Sequence, residues 1–131
     1  NPLFMAPELF TDDKKCNSKI DVFSYGLVLY EIFTNETFSQ RLKNEKKTYV
    51  GAMLSGYRPD LSKDERFTPF FANLINDCWA TNPVSRPSFD EIVSSLLKAY
   101  EEEELINRDT EINDYIIDTV GCLGFDVEFC E

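Results

Sequence analysis

The sequence predicts an all-α fold, and three observations carry that expectation. Two Ser-x-x-acid boxes, Ser18-Lys19-Ile20-Asp21 and Ser88-Phe89-Asp90-Glu91, have the form that satisfies backbone donors at a helix start. Thr68-Pro69 offers a third start, an N-cap followed by a proline at the first helical position. Apolar residues recur at helical spacing behind all three. The one alternating run, Phe125, Val127 and Phe129 around Asp126 and Glu128, is a weak strand signal.

In chain order, the first helix covers residues 20–33. Its apolar residues, among them Ile20, Val22, Phe23, Leu27, Val28 and Ile32, fall all around the wheel at 100° per residue. A helix apolar on every side belongs in the middle of a protein. Residues 46–54 read as a short helix, weakened by Gly51 and closed by Ser55-Gly56. The helix after Thr68-Pro69 runs through Phe71, Leu74, Ile75, Cys78 and Trp79 until Asn82-Pro83 ends it. The Ser88 box opens a helix carrying Ile92, Val93, Leu96, Leu97 and Tyr100, which the glutamates at 101–104 extend into solvent. Ile112, Tyr115, Ile116, Val120 and Leu123 share one face of a further tail helix, with Asp109 or Thr110 as its cap.

Composition bounds the chemistry. The chain has 131 residues, enough for one small domain, or one domain and a tail. A hydrophobic share of 43% and an aromatic share of 14% are enough to build a core. The formal net charge of -11 is unevenly placed: residues 1–100 are nearly neutral, whereas residues 101–131 hold Arg108 as their one basic side chain against eleven acids. We therefore expect a domain at 1–100 and an acidic extension at 101–131. The acidic balance disfavours nucleic acid as a partner, because affinity for a polyanion comes mainly from Lys and Arg. With no His, two-His zinc sites, His-dependent triads and imidazole acid/base chemistry are excluded. Cys16, Cys78, Cys122 and Cys130 form no C-x-x-C pair and make a poor metal set. No apolar run is long enough for a membrane segment and no signal segment opens the chain, so a cytoplasmic location with reduced thiols is the expectation.

Five short motifs in order then carry a resemblance. Met5-Ala6-Pro7-Glu8, Asp21-Val22-Phe23-Ser24-Tyr25-Gly26, Gly56-Tyr57-Arg58-Pro59, Cys78-Trp79 with Asn82-Pro83, and Arg86-Pro87-Ser88-Phe89 resemble the later part of a protein-kinase catalytic domain. Within that family the chain looks most like the tyrosine-kinase-like serine/threonine group, since Pro2-Leu3-Phe4 stands before Met5. The resemblance covers about residues 1–100 and implies the helical C-terminal subdomain of the kinase fold. It implies that Ala6, Pro7 and Glu8 end the activation segment, and that Glu8 and Arg86 form a buried ion pair. Asp21 would support the catalytic loop, or simply close the capping box with Ser18, and the two roles are compatible. Phe23, Gly26 and Trp79 fall to the core. Asn1 stands where the resemblance expects the threonine that bonds to the catalytic loop.

Phosphoryl transfer needs a glycine-rich cover over the ATP phosphates, a strand lysine, a catalytic-loop Asp and Asn, and a metal-holding Asp. The five glycines give no G-x-G-x-x-G, V-A-I-K is absent, and zero His excludes an unmodified H-R-D. No catalytic, cofactor-binding or metal residue is therefore assigned, and this chain alone is not expected to transfer phosphate. ATP and magnesium, with a protein substrate, are expected of an intact parent kinase.

Two readings stay open. In one, favoured by an opening at Asn1 rather than Met, the chain is the C-terminal part of a serine/threonine-type kinase and its partner is the rest of that domain. In the other it is a non-catalytic, truncated kinase-like binding or scaffold module. Without the rest of the lobe, one side of the apolar helix at 20–33 should lose cover and favour self-association. The tail is either a solvated extension or a docking segment at 112–123.

Overall fold

The computed structural model describes residues 2–11 and 17–101. Every regular element among them is helical: α1 (Ser18–Thr34), α2 (Phe38–Asn44), α3 (Tyr49–Ser55), α4 (Pro69–Cys78) and α5 (Phe89–Glu101). Single 3-10 turns lie at Pro2–Phe4, Pro7–Phe10, Leu61–Lys63 and Pro83–Ser85. The fold is all-α, as its caps and periodicity require. The tail helix, the alternating run and the glutamates at 102–104 fall outside the described residues. The described residues divide between Ile92 and Val93 into two units, and the core and site below belong to the first.

α1 forms, but its start corrects the expected capping box. Asn17, extended at φ -143° and ψ 173°, is the N-cap, and its side chain accepts from the Lys19 amide at 3.0 Å. Ser18 is thereby the first helical residue, and Asp21 lies in the first turn, exposed. Asn and Ser cap about equally well, so the pattern alone could not choose between adjacent positions. Asn35 ends the helix in the left-handed region at φ 51°.

α1 buries Val22, Phe23, Leu27, Leu29 and Tyr30. Its one open side carries Asp21, Val28 and Ile32, the last two 42% and 68% exposed. α4 packs on the opposite side at very short range. A Cβ on Gly26 would stand 2.9 Å from Cys78 Cβ and 3.2 Å from the Trp79 amide nitrogen, so only a hydrogen fits there. Around this contact the core is aromatic: Tyr30 lies 5.6 Å from both Phe38 and Trp79, and Phe33 lies 4.5 Å from Phe71. Burying each such ring stabilises the fold by about 1.5–3 kcal/mol.

α2 was not anticipated. Thr37 caps it through the Gln40 amide at 3.1 Å, and Phe38 and Leu42 enter the core one turn apart. Two turns with two apolar residues give no period to detect. α3 starts at Tyr49, later than expected, because Lys46 takes a left-handed φ of 56° and Thr48 is the N-cap. Gly56, at φ 69°, closes it as expected. α4 opens at Thr68-Pro69 and ends at Cys78, with Trp79 as its cap. At α5 the Ser88 amide donates to Glu91 Oε2 at 2.7 Å and the Glu91 amide donates to Ser88 Oγ at 3.2 Å, the two bonds of a capping box. Among the described residues no helix is long and apolar enough to cross a membrane.

Candidate functional site

Buried Ala6 and Pro7 lead into the turn Pro7–Phe10, which directs Glu8 inward. The Arg86 side chain, wholly buried, meets it from the turn ahead of α5, while Glu8 keeps 13% of its side chain exposed. Nη1 lies 2.7 Å from Glu8 Oε1 and Nη2 lies 2.8 Å from Oε2, a bidentate pair across 78 residues.

The other guanidinium donors are also used. Nε donates to the Ala80 carbonyl at 2.8 Å, Nη1 to the Lys19 carbonyl at 2.8 Å and Nη2 to the Thr81 carbonyl at 3.4 Å. Lys19 Nζ returns a 2.6 Å bond to the Arg86 carbonyl. All five N–H groups of Arg86 therefore have acceptors, and its Cζ sits 4.9 Å from the Phe23 ring centroid. Desolvation offsets much of the attraction in such a pair, so its effect shows mainly when one partner is lost.

Arg58 approaches the same ring at 5.1 Å and Trp79 at 5.9 Å. Its Nε donates to the Trp79 carbonyl at 3.0 Å and its Nη1 to the Tyr57 carbonyl at 2.6 Å, but its buried Nη2 has no hydrogen-bond partner. Burial, with Arg86 nearby, pushes this guanidinium down to about 10.

Of the other residues singled out in the sequence, Phe23, Gly26 and Trp79 are buried, and Trp79 Nε1 donates to Asn76 Oδ1 at 3.1 Å. Asp21 is not brought to the pair: it lies exposed in the first turn of α1. Two residues the sequence did not mark also hold the strip before Ala6. Ser24 Oγ donates to the Phe4 carbonyl at 2.9 Å, and Tyr49 Oη donates to the Met5 carbonyl at 3.0 Å. Lys19 and Arg58 are further additions. Ser24 and Arg58 lie inside quoted motifs, whereas nothing in the pattern marks Tyr49.

The described residues gather no site that fits magnesium or the phosphates of ATP. Among the described residues no three metal-binding side chains converge. The groove lined by Arg41, Asp60, Lys63, Asp64, Glu65 and Arg66 has its cations already paired. Arg41 meets Glu45 at 2.7 Å, Lys63 meets Asp60 at 3.0 Å and Arg66 meets Asp64 at 2.6 Å, so a polyphosphate would face three carboxylates. Burial raises the Cys78 thiol to about 12, which leaves it un-ionised and a poor nucleophile at neutral pH. The arrangement fixes chain segments to one another: Arg86 joins Glu8 of the turn Pro7–Phe10 to the Lys19 carbonyl of α1.

Comparison with known proteins identifies the family. Residues 1–96 match the family model described as protein tyrosine and serine/threonine kinase. The probable serine/threonine-protein kinase roco9 of Dictyostelium discoideum is 33% identical over 128 residues, covering 88% of this chain and 4% of that protein. That match reaches past the family model's span into the acidic extension. The RGS domain-containing serine/threonine-protein kinase A of the same organism is 39% identical over 93 residues, covering 71% of this chain and 8% of that protein. The dual specificity protein kinase shkC, also from Dictyostelium discoideum, is 41% identical over 96 residues, covering 72% of this chain and 18% of that protein. The chain belongs to the protein tyrosine and serine/threonine kinase family. It spans a small part of the length of these relatives.

Proposed function

We propose that this chain is the C-terminal part of the catalytic domain of a serine/threonine-type protein kinase, with residues 1–100 as the kinase-like part and 101–131 as its extension. The ATP- and magnesium-binding residues, and the bulk of the protein-substrate site, lie in preceding residues of the parent chain. One observation carries the reading. Glu8, at the end of the inferred activation segment, is held against α1 by Arg86 with every guanidinium donor satisfied. A binding module with no activation segment to hold has no need of that arrangement.

Coding sequence upstream of Asn1 carrying H-R-D and D-F-G in frame, and a longer chain that phosphorylates serine or threonine of a protein substrate, are the expected results. A stop codon immediately before Asn1 would sink the proposal. Phosphoamino-acid analysis of the product separates serine/threonine transfer from the dual specificity named in several relatives. Exposed Val28 and Ile32 on α1 favour a second property, self-association of the isolated chain. Sedimentation as a monomer at all concentrations would dismiss it.

A further inference from the structure

The strip between the turns Pro2–Phe4 and Pro7–Phe10 makes few bonds of its own. Pro2 and Pro7 lack amide donors, and the main chain there is closed by Met5 N–H to the Pro2 carbonyl at 3.4 Å and Leu9 N–H to the Ala6 carbonyl at 3.0 Å. Side chains from other elements reach it at three points. Ser24 of α1 takes the Phe4 carbonyl, Tyr49 of α3 takes the next carbonyl, Met5, and Arg86 takes Glu8. The Glu8–Arg86 pair fixes one end of the strip, and the two hydroxyls take consecutive carbonyls ahead of Ala6.

We infer that Tyr49 is a positioning residue, whose hydroxyl sets the Met5 carbonyl and ties α3 to the end of the activation segment. The phenol suits the task. Its ring rests edge-on against Phe10 and Phe38, each at 6.3 Å, so the oxygen is aimed by packing on both sides. Burial pushes its ionisation upward, which keeps the donor proton in place at neutral pH. Tyr49 is the first residue of α3, directly after the Thr48 cap, so a shift of that helix start would be passed straight to the strip. What the strip does rests on the kinase reading; the bond itself can be measured in this chain.

The test uses the full 131-residue chain with its two methionines, Met5 and Met53, labelled at the carbonyl carbon. Tyr49→Phe keeps the ring and removes the donor. The expected result is an upfield shift of the Met5 signal with the Met53 signal in place, and about fivefold faster hydrogen exchange at the Met5 and Leu9 amides. Ser24→Ala should leave the Met5 signal nearly where it was. An unmoved Met5 signal in Tyr49→Phe would overturn the inference, and so would equal movement of both methionines, which would mean that the hydroxyl supports the fold at large. In a longer chain that phosphorylates a protein, Tyr49→Phe should raise KM for the protein several-fold and leave KM for ATP unchanged. Absence of phosphate transfer from the unsubstituted longer chain would count against the kinase reading alone, since the carbonyl signal decides the bond independently.

Discussion

Arg86 and Arg58 stand 4.9 and 5.1 Å from the same aromatic ring, Phe23, yet they are held in different ways. Arg86 faces a carboxylate in a bidentate pair and has acceptors for all five donors. Arg58 faces two carbonyls and leaves a buried Nη2 without a partner. The first arrangement joins segments 78 residues apart, while the second ties Arg58 to its own neighbour Tyr57 and to Trp79. A buried cation with its counter-charge acts as a clasp, because removing either side leaves the other buried and uncompensated. A buried cation held by dipoles alone contributes mainly through packing of its stem and plane.

The comparison can be broken most directly at Arg86. Arg86→Met strands the Glu8 carboxylate and should cost about 3–5 kcal/mol in urea unfolding. Gly26→Ala sharpens it by disturbing the same core without touching either guanidinium. The new methyl meets Cys78 Cβ at 2.9 Å, and a cost of about 1–3 kcal/mol is expected in the same measurement. Arg58→Met should change stability by about 1 kcal/mol or less, because relief of the unpaired donor offsets the lost carbonyl bonds. A loss as large as that of Arg86→Met would erase the distinction.

Two surface positions complete the range. Lys46, at φ 56°, is strained, and Lys46→Gly should stabilise by about 0.5 kcal/mol on balance, read as a rise in Tm. Glu45 shows a carboxylate pairing in solvent: bonds from Lys47, Tyr57 and Arg41 lower it from 4.5 to about 2. Its folded value is below its unfolded one, so its contribution is complete above pH 4.5 and is lost as pH falls through about 2. The Tm difference between the unsubstituted chain and Glu45→Gln should be small at pH 7 and vanish near pH 2.

The two arginines also show how far the sequence could be read. α1, α4 and α5 were legible because each joins a cap signal to a long apolar period, and α2 was not because it is two turns long. Asn17 rather than Ser18 caps α1, a choice between near-equal caps that the approach of the chain makes. Periodicity could not pair Glu8 with Arg86; the motif order of the kinase resemblance did. The carbonyls of Lys19, Ala80 and Thr81 that complete the Arg86 shell were hidden, since every residue has a carbonyl and only the fold selects among them. The Tyr49 bond to Met5 was hidden for the same reason.

The clasp itself is tested most directly by a double-mutant cycle on the 131-residue chain. Unfolding free energies of the unsubstituted protein, Glu8→Gln, Arg86→Met and the double variant isolate the pair from the separate effects of each change. The double variant should lose clearly less than the sum of the two singles, with a coupling of about 1.5 kcal/mol or more. Additivity within about 0.5 kcal/mol would contradict the account, because it would mean that Glu8 and Arg86 do not hold each other in the folded chain.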